Sequence, residues 1–376
     1  MEIFAYIWEW VIPFLLVFSV LVFVHELGHY LVARYNNVRV EVFSIGFGPE
    51  IYGWFDRAGT RWKLSAVPLG GYVKMFGEHD FDDEGKAAPM TPEDEKVSFH
   101  HKRLGQRAAI VSAGPLANFI FAIVLLTGLF AIAGLPMPQA AIGSVQPESA
   151  AAEAGLEPGD RIVEIDGEPI AWFDELRQHV SERAGTALHL TIERDGRTFV
   201  ATAVPRATEV VGEDGSRRIG VLGVTPDPAQ ISYQRLDPFT SLWTATERTF
   251  GLVSQIMSAL WQIITGSRTA EELGGPLRIA QLSGQMAQGG VVSLVFFMAA
   301  LSINLGLINL FPIPMLDGGH LAFYAAEAVR GRPLDRRVQE YGFRIGLLFV
   351  LLLMIFVTWN DLVQLEVFEF VRRLVT

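Results

Sequence analysis

The chain has 376 residues, 50% of them hydrophobic and 19% charged, too apolar for an average soluble protein and too polar for a bundle of spanning helices alone. A membrane protein with one substantial aqueous insert fits both figures. The absence of cysteine excludes disulfides and thiolate metal ligands, and a net charge of −11 without a basic stripe argues against nucleic acid as a partner.

Residues 1–10 carry Glu2 and Glu9 but no Lys or Arg, so the basic start of a secretory signal is missing. The apolar run that follows is predicted as a retained membrane helix over about 8–30. Near its end stand His25-Glu26-Leu27-Gly28-His29. Two histidines four apart project from one helical face and can grip a single metal ion. The Glu between them can hold and deprotonate a metal-bound water. Ionisable groups in hydrocarbon are expensive and are kept mainly for function.

Next come short apolar segments at 38–43, 51–55, 62–67 and 72–75, predicted as four strands, with a turn at 56–60. Strands beside lipid must pair with one another. A small membrane-associated sheet meets that need, and its free edge is a candidate for holding an extended substrate. Residues 78–96, rich in acid, Pro and Gly, are predicted as a mobile loop. His79, His100 and His101 are read as solvated.

A second span is predicted at 108–134. Beyond it, Glu157-Pro158-Gly159-Asp160 and a strand ending in Asp166-Gly167 look like a bacterial PDZ domain over 138–225. A hairpin turns at Asp195-Gly196, a solvated turn is expected at 213–215, and the peptide-accepting edge is expected near 142–145. Residues 226–290 are expected as a linker bearing an amphipathic, interfacial helix at 250–265. Third and fourth spans follow at 291–311 and 342–358. Eleven lysines and arginines lie between the first two spans, and Arg330, Arg332, Arg336 and Arg337 follow the third. The positive-inside rule makes both loops cytoplasmic and the insert external.

Two histidines leave a zinc site incomplete. Asp317 in Asn309-Leu310-Phe311-Pro312-Ile313-Pro314-Met315-Leu316-Asp317-Gly318-Gly319-His320 is the candidate third ligand. The prolines break the helix and the glycines permit a tight backbone, so a carboxylate can turn inward at the depth of His25 and His29. Asn304 and Asn309 lie in the third span, roughly 140° apart around a helix. Each needs a partner in hydrocarbon, either another helix or a substrate backbone. His320 is read as a polar loop or supporting group outside the site.

These pieces, with Gly46-Phe47-Gly48-Pro49, Pro68-Leu69-Gly70-Gly71-Tyr72-Val73 and Ala113-Gly114-Pro115-Leu116-Ala117-Asn118-Phe119, resemble the site-2 proteases. The match is to their bacterial branch of regulator-of-sigma-E type. The resemblance implies Zn2+ held by His25, His29 and Asp317, with Glu26 as general base and Asn304 and Asn309 holding unwound substrate. It implies an inner-membrane enzyme with a periplasmic PDZ domain and an active site toward the cytoplasm. Its substrates would be single-pass proteins, such as anti-sigma factors shortened by an upstream site-1-type protease, or remnant signal peptides. Only one PDZ domain is evident, where the best-known branch members carry two.

The expected fold is thus a multi-pass α-helical membrane protein with four transmembrane helices, a small β-sheet and one α+β PDZ domain. Its parts are an N-terminal membrane half at 1–137, the PDZ domain at 138–225, a linker at 226–290 and a C-terminal membrane half at 291–376. A silent PDZ scaffold is the alternative, but it has no need of Glu26. A metal transporter would need polar groups lining the second and fourth spans.

Overall fold

A computed structural model of the chain describes residues 7–77, 90–212, 215–270 and 274–364. The backbone forms two units, Met1–Leu129 with Pro238–Thr376, and Phe130–Asp237. The predicted loop residues 78–89, His79 among them, and two of the three residues predicted as a turn at 213–215 lie outside the described residues.

Four described helices are long and apolar enough to cross a membrane, Trp8–Tyr35, Leu104–Ile132, Val291–Leu310 and Arg337–Gln364. They coincide with the expected spans, each differing by a few residues at its ends. The first contains α1 (Ile12–Tyr35), which buries Val17, Leu21, His25, His29 and Ala33 along one stripe at four-residue spacing. Both histidines therefore face the other helices. Gly28 lies on the same side. A methyl group there would stand 2.3 Å from the Ala113 carbonyl oxygen and 2.7 Å from the Ala117 Cβ. This small-residue contact lets the histidine helix approach its neighbour at backbone distance. The last span exposes Ile345, Leu348, Leu352 and Ile355, as suits a helix solvated by lipid.

The four predicted strands are two long, bent ones, β1 (Val40–Phe55) and β2 (Arg61–Met75). Phe43 pairs with both Trp62 and Val73, Ile45 with both Leu64 and Gly71, while Tyr52 and Trp54 pair with Leu64 and Trp62. The hairpin thus folds over itself into a sheet ordered 52–55, 61–65, 42–45, 71–75. Continuous extended backbone replaces the expected breaks because Gly46, Gly48 and Gly70 take positive φ values of 88°, 85° and 120° and turn the strands without ending them. The 56–60 turn forms as expected, with Asp56 Oδ1 accepting from the Ala58 and Thr60 amides. Part of the predicted mobile loop is instead helix α2 (Pro92–Val97), whose Thr91 hydroxyl accepts from the Asp94 amide.

The second span's helix is α3 (Leu104–Ile132). In the other unit come β3 (Leu135–Pro138), β4 (Ile142–Val145), α4 (Ala150–Glu153), β5 (Arg161–Ile165), β6 (Glu168–Pro169), α5 (Phe173–Glu182), β7 (Leu188–Arg194), β8 (Arg197–Ala203), β9 (Arg206–Gly212), β10 (Gly215–Val221), β11 (Val224–Pro226) and β12 (Ile231–Gln234). One sheet has the order β6-β5-β7-β8. Leu188, Leu190 and Ile192 alternate into a core with Ile142, Ile162, Ile165 and Leu176. The predicted hairpin turn forms, with Asp195 and Gly196 both at positive φ.

One expectation is corrected here. The edge at 142–145 is not open, because β11 pairs antiparallel with β4 along Val224↔Val145 and Thr225↔Ser144. The chain returns at 224–226 to cover that edge, and the outer position passes to β11.

Three helices follow: α6 (Pro238–Ile264), α7 (Pro276–Gln288) and α8 (Val291–Leu310). The amphipathic helix expected at 250–265 begins at Pro238 and buries Ser241, Ala245 and Thr249 on one stripe. It exposes Phe239, Trp243, Phe250 and Trp261. The last described helices are α9 (Asp317–Arg330) and α10 (Arg336–Gln364). The fold is a multi-pass helical membrane protein with a small sheet and an α+β insert.

Candidate metal centre

The stripe on α1 delivers two imidazoles and the start of α9 delivers one carboxylate. His25 Nε2 lies 3.1 Å from Asp317 Oδ2 and 3.2 Å from His29 Nε2, which is itself 3.5 Å from Asp317 Oδ2. Tetrahedral zinc with ligands at about 2.0–2.1 Å requires donor separations of roughly 3.3 Å. The three atoms match that spacing. Both histidines are 9% exposed, and Asp317 Oδ2 is buried without a hydrogen-bond donor.

The last point and the short His25–Asp317 distance look contradictory, and the tautomers reconcile them. His29 Nδ1 donates to the Ile110 carbonyl oxygen at 2.9 Å, so its Nε2 carries a lone pair. With His25 in the same tautomer, three electron-rich atoms converge with no proton between them. A cation satisfies all three. The donor set of two imidazoles and one carboxylate, with no thiolate, suits zinc.

Local sequence explains how Asp317 reaches this point. Pro312 and Pro314 follow α8, whose capping residue Phe311 is already extended. The chain then doubles back so tightly that methyl groups on Gly318 and Gly319 would stand 2.2 Å from the Phe311 and 2.4 Å from the Ile313 carbonyl oxygens. Met315 holds a positive φ of 94°, a strained conformation for a non-glycine residue beside the site. The fourth span braces this loop. A methyl on Gly346 would lie 2.0 Å from the Pro314 carbonyl oxygen, and one on Gly342 would lie 2.8 Å from Phe323.

A cavity of about 1110 Å³ opens onto the three ligand atoms, lined by Glu26, Tyr72, Val73, Arg107, Asn309 and His320 among others. Strand β2 runs close against Glu26, since a methyl on Gly71 would approach the Glu26 Cγ to 3.2 Å. Of the two third-span asparagines, Asn309 lines this cavity while its amide donates to Leu305 one turn back. Asn304 is half-buried and not among the lining residues. His100 and His320 also border the cavity rather than the ligand cluster. Arg107 closes one wall, paired with Glu327 at 2.7 Å and 4.9 Å from the Tyr324 ring.

Three contributors carry no role in the sequence reading, although Gly114 and Asn118 lie in the 113–119 segment that bears part of the resemblance. The Ile110 carbonyl is invisible in any motif. Gly114 is required because a Cβ there would stand 2.2 Å from His29 Nε2. Asn118, fully buried, approaches His25 Nδ1 to 3.3 Å. The isolation of an amide in an apolar span was the available signal for the last.

Residues 13–353 match the family described as Peptidase family M50. A "Putative zinc metalloprotease" of Agrobacterium fabrum is 44% identical over 362 residues, covering 95% of this chain and 96% of its own. Metalloprotease MmpA of Caulobacter vibrioides is 36% identical over 391 residues, covering 97% and 98%. Among solved structures, the chain is similar to the PDZ domain of an SdrC-like protein of Listeria innocua. That match has 19% identity and a TM-score of 0.19, and covers 23% of this chain and 92% of that one.

Proposed function

The chain belongs to peptidase family M50, the site-2 type of zinc metalloprotease, and from that membership we propose that it cleaves single-pass proteins within their transmembrane segments. The observation that carries this reading is the convergence of His25, His29 and Asp317 beside spanning helices, at the foot of a cavity that Glu26 also lines.

His25, His29 and Asp317 hold the zinc, which when bound supplies Lewis acidity to polarise a carbonyl and lower the pKa of water. Glu26 is the general base. Its carboxylate takes the proton of the attacking water and passes it to the leaving amide nitrogen. The buried ligand set keeps the three donors at fixed spacing, so little reorganisation accompanies the reaction. Helical amides are internally bonded and sterically covered, so the substrate must be extended before attack. The edge strand at 71–75, which borders the cavity, offers backbone groups to an unwound segment. Asn309, from the cavity wall, binds the substrate's freed backbone.

The insert is a PDZ-type unit on the external face, and the cavity opens toward the cytoplasm of a bacterial inner membrane. Substrates are anti-sigma-like proteins already shortened by another protease, or remnant signal peptides. The test is co-expression of wild type and Glu26→Gln with candidate single-pass proteins. A shortened product with wild type alone, with equal zinc in both purified proteins, supports the reading. Equal cleavage by Glu26→Gln refutes it.

A further inference from the structure

Asn118 has no part in the chemistry above, yet it is fully buried in the middle of α3 and its side chain meets a ligand. Its Nδ2 position lies 3.3 Å from His25 Nδ1, and its Oδ1 is buried with no partner. The histidine ring decides how that amide must stand. His25 Nε2 faces Asp317 Oδ2 at 3.1 Å and His29 Nε2 at 3.2 Å, so its lone pair belongs on Nε2 if it is to bind metal. Nδ1 then carries the proton and needs an acceptor.

With Nδ2 toward the ring, two donors would oppose each other while an oxygen stays orphaned. A half-turn of the amide, which preserves its shape, sets Oδ1 at the Nδ1 proton, which ends the opposition of donors and gives the oxygen a partner. The residue is held for this task from behind. Ser302 Oγ donates to the Asn118 carbonyl oxygen at 2.8 Å, and a methyl on Gly306 would approach the Asn118 Cβ to 3.3 Å. The two histidines are thereby oriented from one helix, His29 by the backbone of Ile110 and His25 by the side chain of Asn118, two turns further along α3.

We propose that Asn118 is a positioning residue that accepts the His25 Nδ1 proton, fixes that ring's tautomer and so presents Nε2 to zinc. The proposal rests on the reading of His25 as a ligand and goes beyond it by naming what orients the ring. Partners of this kind change metal affinity about 10- to 100-fold when removed.

The test measures zinc affinity of the purified, zinc-loaded protein by competition with a chelator. It compares wild type, Asn118→Leu, Asn118→Asp and the control His25→Ala. The expected result is a 10- to 100-fold loss in Asn118→Leu, and affinity within a few-fold of wild type in Asn118→Asp, which keeps an acceptor. Wild-type affinity in Asn118→Leu, or equal losses in Leu and Asp variants of unchanged thermal stability, would overturn the assignment. Retained zinc in His25→Ala would overturn the ligand reading itself and the assignment with it, so the two failures are distinguishable. Should the variants not fold, 15N spectra of histidine-labelled, zinc-stripped wild type decide the matter. A proton on His25 Nδ1 supports the proposal, and one on Nε2 refutes it.

Discussion

A methyl group on Gly114 would stand 2.2 Å from Nε2 of His29, the atom that faces Asp317. The second span therefore meets the ligand cluster at a point where no side chain fits. Gly114→Ala should lower zinc affinity at least tenfold and abolish cleavage, because the imidazole must rotate or the helices part. Zinc analysis of the purified variant checks this. Full zinc occupancy with wild-type turnover would show that the contact relaxes without consequence.

Tyr72 and Val73 both line the cavity on the outer segment of the sheet. Successive backbone N–H groups of a strand point to opposite sides, so one of this pair faces β1 and the other faces away. Proline at the outward position should cut turnover without removing zinc, since it deletes a donor available to an extended substrate. Measured cleavage by Tyr72→Pro and Val73→Pro, each beside its zinc content, tests the edge. Undiminished turnover in both variants would exclude strand addition there.

Asp361 lies near the end of the last span, 1% exposed, and accepts from the amides of Gly275, Leu277 and Arg278 at 2.8, 3.0 and 3.1 Å. It caps the start of α7 from another helix. Asp361→Ala should cost about 1–2 kcal/mol of stability and leave zinc affinity unchanged. Thermal unfolding in detergent, read beside the chelator competition, separates this brace from the metal centre. A loss of zinc without loss of stability would contradict it.

The Asp56 carboxyl is pulled in two directions. Partial burial raises its pKa, while hydrogen bonds from the Trp62 indole, the Thr60 and Ala58 amides and the Tyr30 hydroxyl lower it, and the net value lies below the ordinary 3.8. A depressed folded-state pKa gives stability that is present above the unfolded value and lost as pH falls through the folded one. The turn at 56–60 should thus loosen only in acid, below about pH 4. Asp56→Asn should destabilise the hairpin by roughly 1–2 kcal/mol near neutrality and flatten that acid dependence. Unfolding midpoints of both proteins between pH 3 and 7 provide the check.

The sequence by itself determined the spans, the metal ligand types and the hairpin turns at 56–60 and 195–196. Each rests on local physics: apolar length against bilayer thickness, helical spacing of two histidines, and residues that tolerate a tight turn. It also pointed to Asp317, through the only carboxylate in a proline- and glycine-broken stretch after the third span. What tertiary structure alone decided was every relation between distant segments. The hairpin folded over itself because three glycines bend strands that the apolar pattern had divided into four. Strand β11 closed the edge at 142–145, since a strand of three residues carries almost no periodic signal. The roles of Gly28, Gly114 and Gly346 depend on what faces each missing side chain, and the Ile110 carbonyl is the same group in every residue. A motif names the atoms that can bind a metal, but only packing determines which atoms hold them still.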